Sequence, residues 1–113
     1  MEVTGQAGPG AYFVSVGADR IDAAGAIQFK DGFRDAVADV DGRIVLDLSN
    51  VDFLDSSGLG AVVAAMKLLG PDRKLEIAGL TPTVQKVFRL TRMDRVFKIH
   101  PDLDAARADP NHA

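Results

Sequence analysis

The fold is decided by residues 44–70, which run IVLDLSNVDFLDSSGLGAVVAAMKLLG. Residues 44–48 form a short, nearly continuous apolar run, which is the pattern of a strand covered on both faces. From Leu59 onward the apolar residues recur with helical spacing, and Gly70 followed by a proline stops the helix. This stretch therefore predicts a central strand, a loop and a helix in succession.

The rest of the chain repeats this alternation of strand and helix. Four further segments are predicted strands, the first of them a short edge strand: residues 2–4, 11–16, 75–78 and 96–99. Three further helices are predicted: one capped by Asp22, one capped by Thr81, and a short one that opens at Pro101-Asp102. This order predicts an α/β domain, with a central mixed, mostly parallel sheet of four to five strands packed with about four α-helices. Only the first, hairpin-like segment is expected to pair antiparallel.

The length of 113 residues fits a single domain. We expect its core to span about residues 12–106 and its two ends, residues 1–10 and 107–113, to be flexible. The chain has no cysteine, no signal-peptide pattern and no apolar run near the roughly 18 residues of a membrane span, so we expect a cytoplasmic protein without a membrane partner. A net charge of −3 argues against nucleic-acid binding.

Ser57 lacks the sequence surroundings of a hydrolase nucleophile. No glycine stands two residues before it, and the chain's two histidines, His100 and His112, have no sequence reason to lie near it. The glycine string that begins at Gly58 lacks the third glycine of a dinucleotide site. We therefore predict no catalytic residue and no cofactor.

Three aspartates in the same region raise the question of a cation site: Asp47, Asp52 and Asp55. Their spacing does not match a calcium-binding loop. Asp47 lies within the apolar strand, where its carboxylate is expected to accept hydrogen bonds from neighbouring backbone. We predict no metal site.

The segment D-S-S-G-L-G places residues that weaken a helix at the start of one. Asp55 or Ser56 can cap the unpaired N–H groups of the first turn. Gly58 and Gly60 each cost a helix on the order of 1 kcal/mol relative to alanine, and neither is placed to end it. Either another backbone packs closely against them or an external molecule approaches the first turn, and the residues alone leave both readings open.

The same residues carry a resemblance to a known family. Residues 44–70, followed by KLEIAGLTPTVQKVFRLTRMDRVFKIHPDLDAA at residues 74–106, resemble the STAS domain of bacterial anti-sigma factor antagonists. The earlier RIDAAGAIQF, residues 20–29, is similar to the family's first-helix entrance, with Asp22 at the position of its common aspartate. The resemblance extends from about Tyr12 to Ala106.

The resemblance implies a binding protein rather than an enzyme. Its partner would be an anti-sigma factor that is itself a serine kinase, and binding would release the sigma factor for transcription. The kinase would phosphorylate Ser57 with ATP, and a serine phosphatase would reverse the reaction. The residues implied in partner binding are Asp22, Asp55, Ser56, Ser57, Gly58, Leu59 and Gly60.

A second hypothesis keeps the domain but removes the switch. Serine at position 57 permits phosphorylation without requiring it, so the chain could be an unphosphorylated STAS interaction subunit of a transport or signalling complex. In either case we expect a monomer or a weak dimer.

Overall fold

The computed structural model describes residues 1–109. Its strands are β1 Val3–Gly8, β2 Ala11–Val16, β3 Arg20–Ile21, β4 Ile44–Asp47, β5 Phe53–Leu54, β6 Leu75–Ala78 and β7 Lys98–His100. Its helices are α1 Ala23–Val37, α2 Ser56–Leu69, α3 Pro82–Leu90 and α4 Leu103–Ala108, with a single 3₁₀ turn at Met93–Arg95.

Five strands form one mixed sheet in the order β1-β2-β4-β6-β7. Strands β1 and β2 pair antiparallel, and every other pair in this sheet is parallel, because helices connect the strands. In the centre, Leu46 lies opposite Val14 on one side and Ile77 on the other. The predicted fold class, a mixed, mostly parallel sheet of four to five strands packed with about four α-helices, is confirmed by this five-stranded sheet and the four α-helices of residues 1–109.

The two faces of the sheet carry different side chains, because successive residues of a strand point to opposite sides. Helices α1, α2 and α3 cover one face, where Leu46 and Ile77 pack in the main core with Phe29, Val62 and Phe88. The second face carries a smaller apolar cluster under α4, made by Phe13, Val45, Ala78 and Ala106.

A buried ionic cluster completes the second face. The Arg43 guanidinium donates to both oxygens of the Glu76 carboxylate, at 2.6 and 2.8 Å, and His100 Nε2 lies 2.7 Å from Glu76 Oε1. Burial alone would raise the pKa of Glu76, but the hydrogen bonds from Arg43 and His100 outweigh it and hold that pKa below its ordinary value. Arg43 also donates to the carbonyl of Ala106 at 2.7 Å, which ties α4 to the sheet.

Several boundaries differ from the prediction. The edge strand spans residues 3–8 rather than 2–4, because all six residues pair with β2, so most of the first ten residues are part of the sheet. The last strand spans residues 98–100 rather than 96–99, since the N–H of Val96 closes the 3₁₀ turn on Met93 O. Of the predicted flexible end, residues 110–113 lie outside the described residues.

The starts of α3 and α4 are capped differently. Asp102 caps α4, because its side chain accepts a hydrogen bond from the Ala105 N–H at 2.7 Å. Thr81 occupies the N-cap position of α3, but its hydroxyl donates to Val51 O at 2.8 Å instead of capping the helix. Pro82 takes the first helical position, as predicted.

Candidate functional site

Two helices begin side by side at one end of the molecule. The two-residue strands β3 and β5 pair in parallel, with Arg20 opposite Phe53 and Ile21 opposite Leu54. The next residues along each chain segment, Asp22 and Asp55, are the N-caps of α1 and α2. The small sheet therefore brings the two helix entrances together.

The two caps have nearly the same geometry. Asp22 has φ −101° and ψ −167°, and its carboxylate accepts the Gly25 N–H at 3.0 Å. Asp55 has φ −98° and ψ −170°, and its carboxylate accepts the Gly58 N–H at 2.9 Å. Of the two residues that could cap α2, Asp55 is the one that does so. The hydrogen bond from Gly25 holds the pKa of Asp22 below its ordinary value.

The two serines after Asp55 are exposed and take no part in the cap. Ser56 and Ser57 are the first two residues of α2, and within residues 1–109 neither hydroxyl has a hydrogen-bond partner. The corresponding residues of α1 are Ala23 and Ala24, which begin a helix with the same cap and no hydroxyl. The local fold therefore does not require hydroxyl groups at positions 56 and 57.

The two glycines of α2 have opposite surroundings. A Cβ added to Gly58 would collide with the backbone carbonyl oxygen of Ile21, and Leu54 Cβ would lie 3.0 Å away. At Gly60, by contrast, the described part of the chain places no atom outside the local helix backbone within 4 Å of an added Cβ. Close packing therefore explains Gly58 but not Gly60, and the approach of an external molecule at Gly60 stays a prediction.

An exposed aromatic ring lies on the same small sheet. Phe53 is 42% exposed, and the Arg20 guanidinium carbon lies 5.2 Å from the centre of its ring, within the range of a cation–π contact. Arg20 Nε also lies 3.6 Å from Asp22 Oδ2. The helix entrances are therefore flanked by a surface that is both apolar and charged.

Side chains capable of acid–base chemistry lie elsewhere in the sheet. His100 is buried against Glu76, and Asp47 accepts hydrogen bonds from Ser49 N at 2.9 Å and Ser15 Oγ at 3.1 Å. The predicted backbone hydrogen bond of Asp47 is thus confirmed. Within residues 1–109, neither His100 nor Asp47 forms a hydrogen bond with Ser57, which is the contact that a general base for this hydroxyl would need.

One group of side chains could bring metal ligands together. Ligand atoms of Glu76, His100 and Asp109 all lie within 4.8 Å of one another. Both Glu76 oxygens already accept hydrogen bonds from Arg43, and Asp109 pairs with Lys98. A metal ion would have to displace these cations, so the cluster fits an internal ion-pair network better than a metal site.

Comparison with known proteins gives evidence that is independent of this geometry. The model of the family described as the STAS domain matches residues 4–106 of the chain. The chain belongs to the STAS domain family. None of the helices within residues 1–109 is long and apolar enough to cross a membrane.

Individual STAS proteins extend this assignment. A STAS-domain containing protein of Pseudomonas aeruginosa is 35% identical over 71 residues, covering 59% of this chain and 70% of its own length. The anti-sigma-F factor antagonist RsfB of Mycobacterium tuberculosis is 28% identical over 97 residues, covering 86% and 79%. The crystal structure of an anti-sigma factor antagonist from Mycobacterium paratuberculosis is similar with a TM-score of 0.81 and 31% identity, covering 92% and 88%. The chain therefore groups with STAS proteins named as anti-sigma factor antagonists.

The structure brings the predicted site residues of this STAS domain to the paired helix entrances, with one distinction. Ser56, Ser57 and Gly60 are exposed, whereas Gly58 is buried behind them. The remaining three lie partly buried at the same place: Asp22, Asp55 and Leu59. The pairing of β3 with β5 was not predicted, although the similarity of RIDAAG to FLDSSG in the sequence is a signal that could have suggested it.

Proposed function

We propose that this STAS protein is an anti-sigma factor antagonist that binds an anti-sigma factor with serine kinase activity through the paired helix entrances. Binding would free the sigma factor. Phosphorylation of Ser57 would end the interaction, and a serine phosphatase would restore it. In this cycle the chain is a substrate and a binding partner, and it carries out no catalysis itself.

The observation that carries the proposal is the state of Ser57. Its side chain is exposed in the first turn of α2 and makes no hydrogen bond within residues 1–109, while Asp55 supplies the cap. A hydroxyl that the fold does not use is accessible to an external enzyme. The open space at Gly60, one helical turn along, leaves room for that enzyme to approach.

The chemistry of the switch follows from the position of Ser57. Transfer from ATP would form a bond between Ser57 Oγ and the γ-phosphorus, break the bond to the bridging oxygen, and release ADP. The hydroxyl proton would pass to a base of the kinase. Hydrolysis by the phosphatase would return the serine and inorganic phosphate.

The energetics favour dissociation rather than unfolding. A phosphoserine carries about −1.5 to −2 charge, and a helix N-terminus stabilises such a group by about 0.3 to 1 kcal/mol. Repulsion from the neighbouring Asp55 opposes this gain, so the free protein should stay folded. Inside an interface, a dianion without a matching cation costs several kcal/mol, and each 1.4 kcal/mol lowers affinity tenfold.

The test uses the anti-sigma factor kinase encoded in the same cell. Wild type incubated with the kinase and ATP should gain about 80 Da by intact-mass analysis, the mass of one phosphoryl group. Ser56→Ala should gain the same mass and Ser57→Ala should gain none. In calorimetry without ATP, wild type and Ser57→Ala should both bind, and Ser57→Asp should bind at least about tenfold more weakly.

The neighbouring serine supplies the matched control. Mass gain that persists in Ser57→Ala, or equal affinities for Ser57→Asp and wild type, would show that Ser57 is not the switch. Binding of the partner without any mass gain would favour the unphosphorylated interaction subunit instead. Failure to bind every serine kinase of that cell would contradict the proposal as a whole.

A further inference from the structure

A concave surface lies at the other end of α2 from Ser57. It has a volume of about 450 Å³ and is formed by the last turn of α2, the loop that leads to β6, and Val96. Sites for small molecules in proteins commonly have volumes of about 300 to 1,000 Å³. Four apolar side chains line this cavity: Met66, Pro71, Leu75 and Val96.

Val96 is more exposed than the apolar residues Met66 and Leu75 of the same cavity. It is 45% exposed, although it lies directly before the buried Phe97. Met66 is partly buried and packs on the main core, and Leu75 is almost fully buried. The cavity therefore has an apolar floor that is continuous with the core and an apolar rim at Val96 that water contacts.

The charged residues of the cavity are all positive. Lys67, Arg73 and Lys74 line it, and no carboxylate is among its lining residues within the described part of the chain. This concentration contrasts with the net charge of −3 for the whole protein. Lys67 lies in the last turn of α2, where a cation stabilises the helix C-terminus, but Arg73 and Lys74 lie beyond the helix and this effect does not explain them.

Arg73 is held in a fixed orientation. Its Nε and Nη2 atoms donate to the carbonyl oxygen of Gly42 at 3.2 and 2.6 Å. A guanidinium has five N–H donors, so three remain for another acceptor. Because the backbone of a different loop holds the group, binding an anion there costs less side-chain entropy than binding it to a mobile arginine.

We propose that this cavity binds a small organic anion with a hydrocarbon body, of the chemical class of a medium-chain carboxylate. The hydrocarbon would cover Met66, Leu75 and Val96, and the carboxylate would pair with Arg73 and the two lysines. The site is independent of Ser57 and of the proposed switch.

The test is a titration of the full-length ¹⁵N-labelled protein with decanoate, followed by amide chemical shifts. We expect saturable shifts confined to the last turn of α2, the following loop and the segment around Val96. Decyltrimethylammonium has a chain of the same length and the opposite charge, and it should bind at least about tenfold more weakly. The double variant Lys67→Gln/Lys74→Gln should lower decanoate affinity by about tenfold.

A second pair of lysines supplies the matched control. Lys30→Gln/Lys86→Gln removes the same charge from helices α1 and α3, away from the cavity, and should leave the decanoate affinity unchanged. Both pairs of lysines are exposed, so both variants should melt within a few degrees of wild type. The mass gain at Ser57 should be unaffected by either double variant, which separates this test from that of the proposed function.

Three results would overturn the site. The first is equal affinity for the two ten-carbon probes, which would show adsorption of hydrocarbon without recognition of charge. The second is an equal loss of decanoate affinity in the Lys67→Gln/Lys74→Gln and the Lys30→Gln/Lys86→Gln variants. The third is co-sedimentation with phosphatidylglycerol vesicles without saturable decanoate shifts, which would assign the positive charges to a membrane surface instead.

Discussion

The entrances of α1 and α2 are built alike but differ in what they expose. Residues 20–25 run RIDAAG and residues 53–58 run FLDSSG, and in each an aspartate after a two-residue strand caps the helix through the N–H of a glycine. One entrance carries alanines where the other carries serines. This difference indicates that the fold does not require the hydroxyl groups of Ser56 and Ser57. The entrance of α2 is therefore where we expect a partner protein to act.

The largest expected effect distinguishes the two cap glycines. Gly58→Ala should lower the free energy of unfolding by about 2–3 kcal/mol, because the new methyl group meets the rigid carbonyl oxygen of Ile21. Gly25→Ala should cost less than about 1 kcal/mol, since the nearest atom is the flexible end of Met1 at 3.0 Å. Urea denaturation of both variants measures the difference.

The exposed glycine of the same helix is the control for that pair. Gly60→Ala should stabilise the protein by about 0.5–1 kcal/mol, because an alanine in an open helical position has less backbone entropy to lose. Equal destabilisation by Gly58→Ala and Gly60→Ala would mean that close packing against Ile21 does not distinguish them.

The next effect tests whether the two caps are equivalent. Asp55→Ala should lower the free energy of unfolding by about 1 kcal/mol, because the Gly58 N–H loses its acceptor. Asp22→Ala should destabilise the protein in the same direction. Asn at either position keeps a capping oxygen and should restore most of the loss, as measured by thermal unfolding. A stable Asp55→Ala alongside an unstable Asp22→Ala would break the equivalence.

A smaller effect concerns the serines. The double variant Ser56→Ala/Ser57→Ala makes the second entrance identical to the first at these positions, and its free energy of unfolding should lie within about 0.5 kcal/mol of wild type. The reverse change, Ala24→Ser, should be equally neutral, since residue 24 is also exposed. A loss above about 1 kcal/mol in the double variant would show that the hydroxyls support the fold.

The smallest expected effect is a pH dependence at the first entrance. The hydrogen bond from the Gly25 N–H holds the pKa of Asp22 below its ordinary value of 3.8, so the contribution of Asp22 to stability is present above that value and is lost as the pH falls through the folded-state pKa. Asp22→Asn keeps a capping oxygen without a titrating group. The stability of wild type relative to Asp22→Asn should therefore stay constant from about pH 7 to about pH 5 and decrease as the pH falls below about 4, as measured by urea denaturation. A difference independent of pH would contradict this.

The strands and helices that could be predicted are those long enough for the spacing of their apolar residues to show a strand or helix period. The apolar run at residues 44–48 and the helical spacing after Leu59 predicted the central strand and α2, and Asp22, Thr81-Pro82 and Pro101-Asp102 predicted the starts of the other three helices. Strands β3 and β5 have two residues each, too few to show alternation, so only the similarity of RIDAAG to FLDSSG could have indicated the pairing that aligns the two entrances.

The residues of the candidate site were named from the sequence, but their arrangement in space was not predicted. Gly58 and Gly60 are the same residue type two positions apart, and only their neighbours in space separate a packed glycine from an open one. The ionic cluster on the second face was missed because Arg43 and His100 lie 33 and 24 residues from Glu76 in the sequence. No local pattern connects side chains at such separations.

Hydrogen exchange of the amides of α4 measures how stably this helix is attached to the second face of the sheet. It has six residues, whereas an isolated helix needs roughly 12–15 to persist in water, so it depends on the Arg43 hydrogen bond to Ala106 and on the contacts of Ala106 with Phe13 and Val45. Deuterium should therefore enter its amides through local openings that release Arg43, earlier than it enters the amides of the central strands. The rate of that exchange reports, without any added probe, how firmly the Arg43 hydrogen bond and the apolar cluster hold α4 on the sheet.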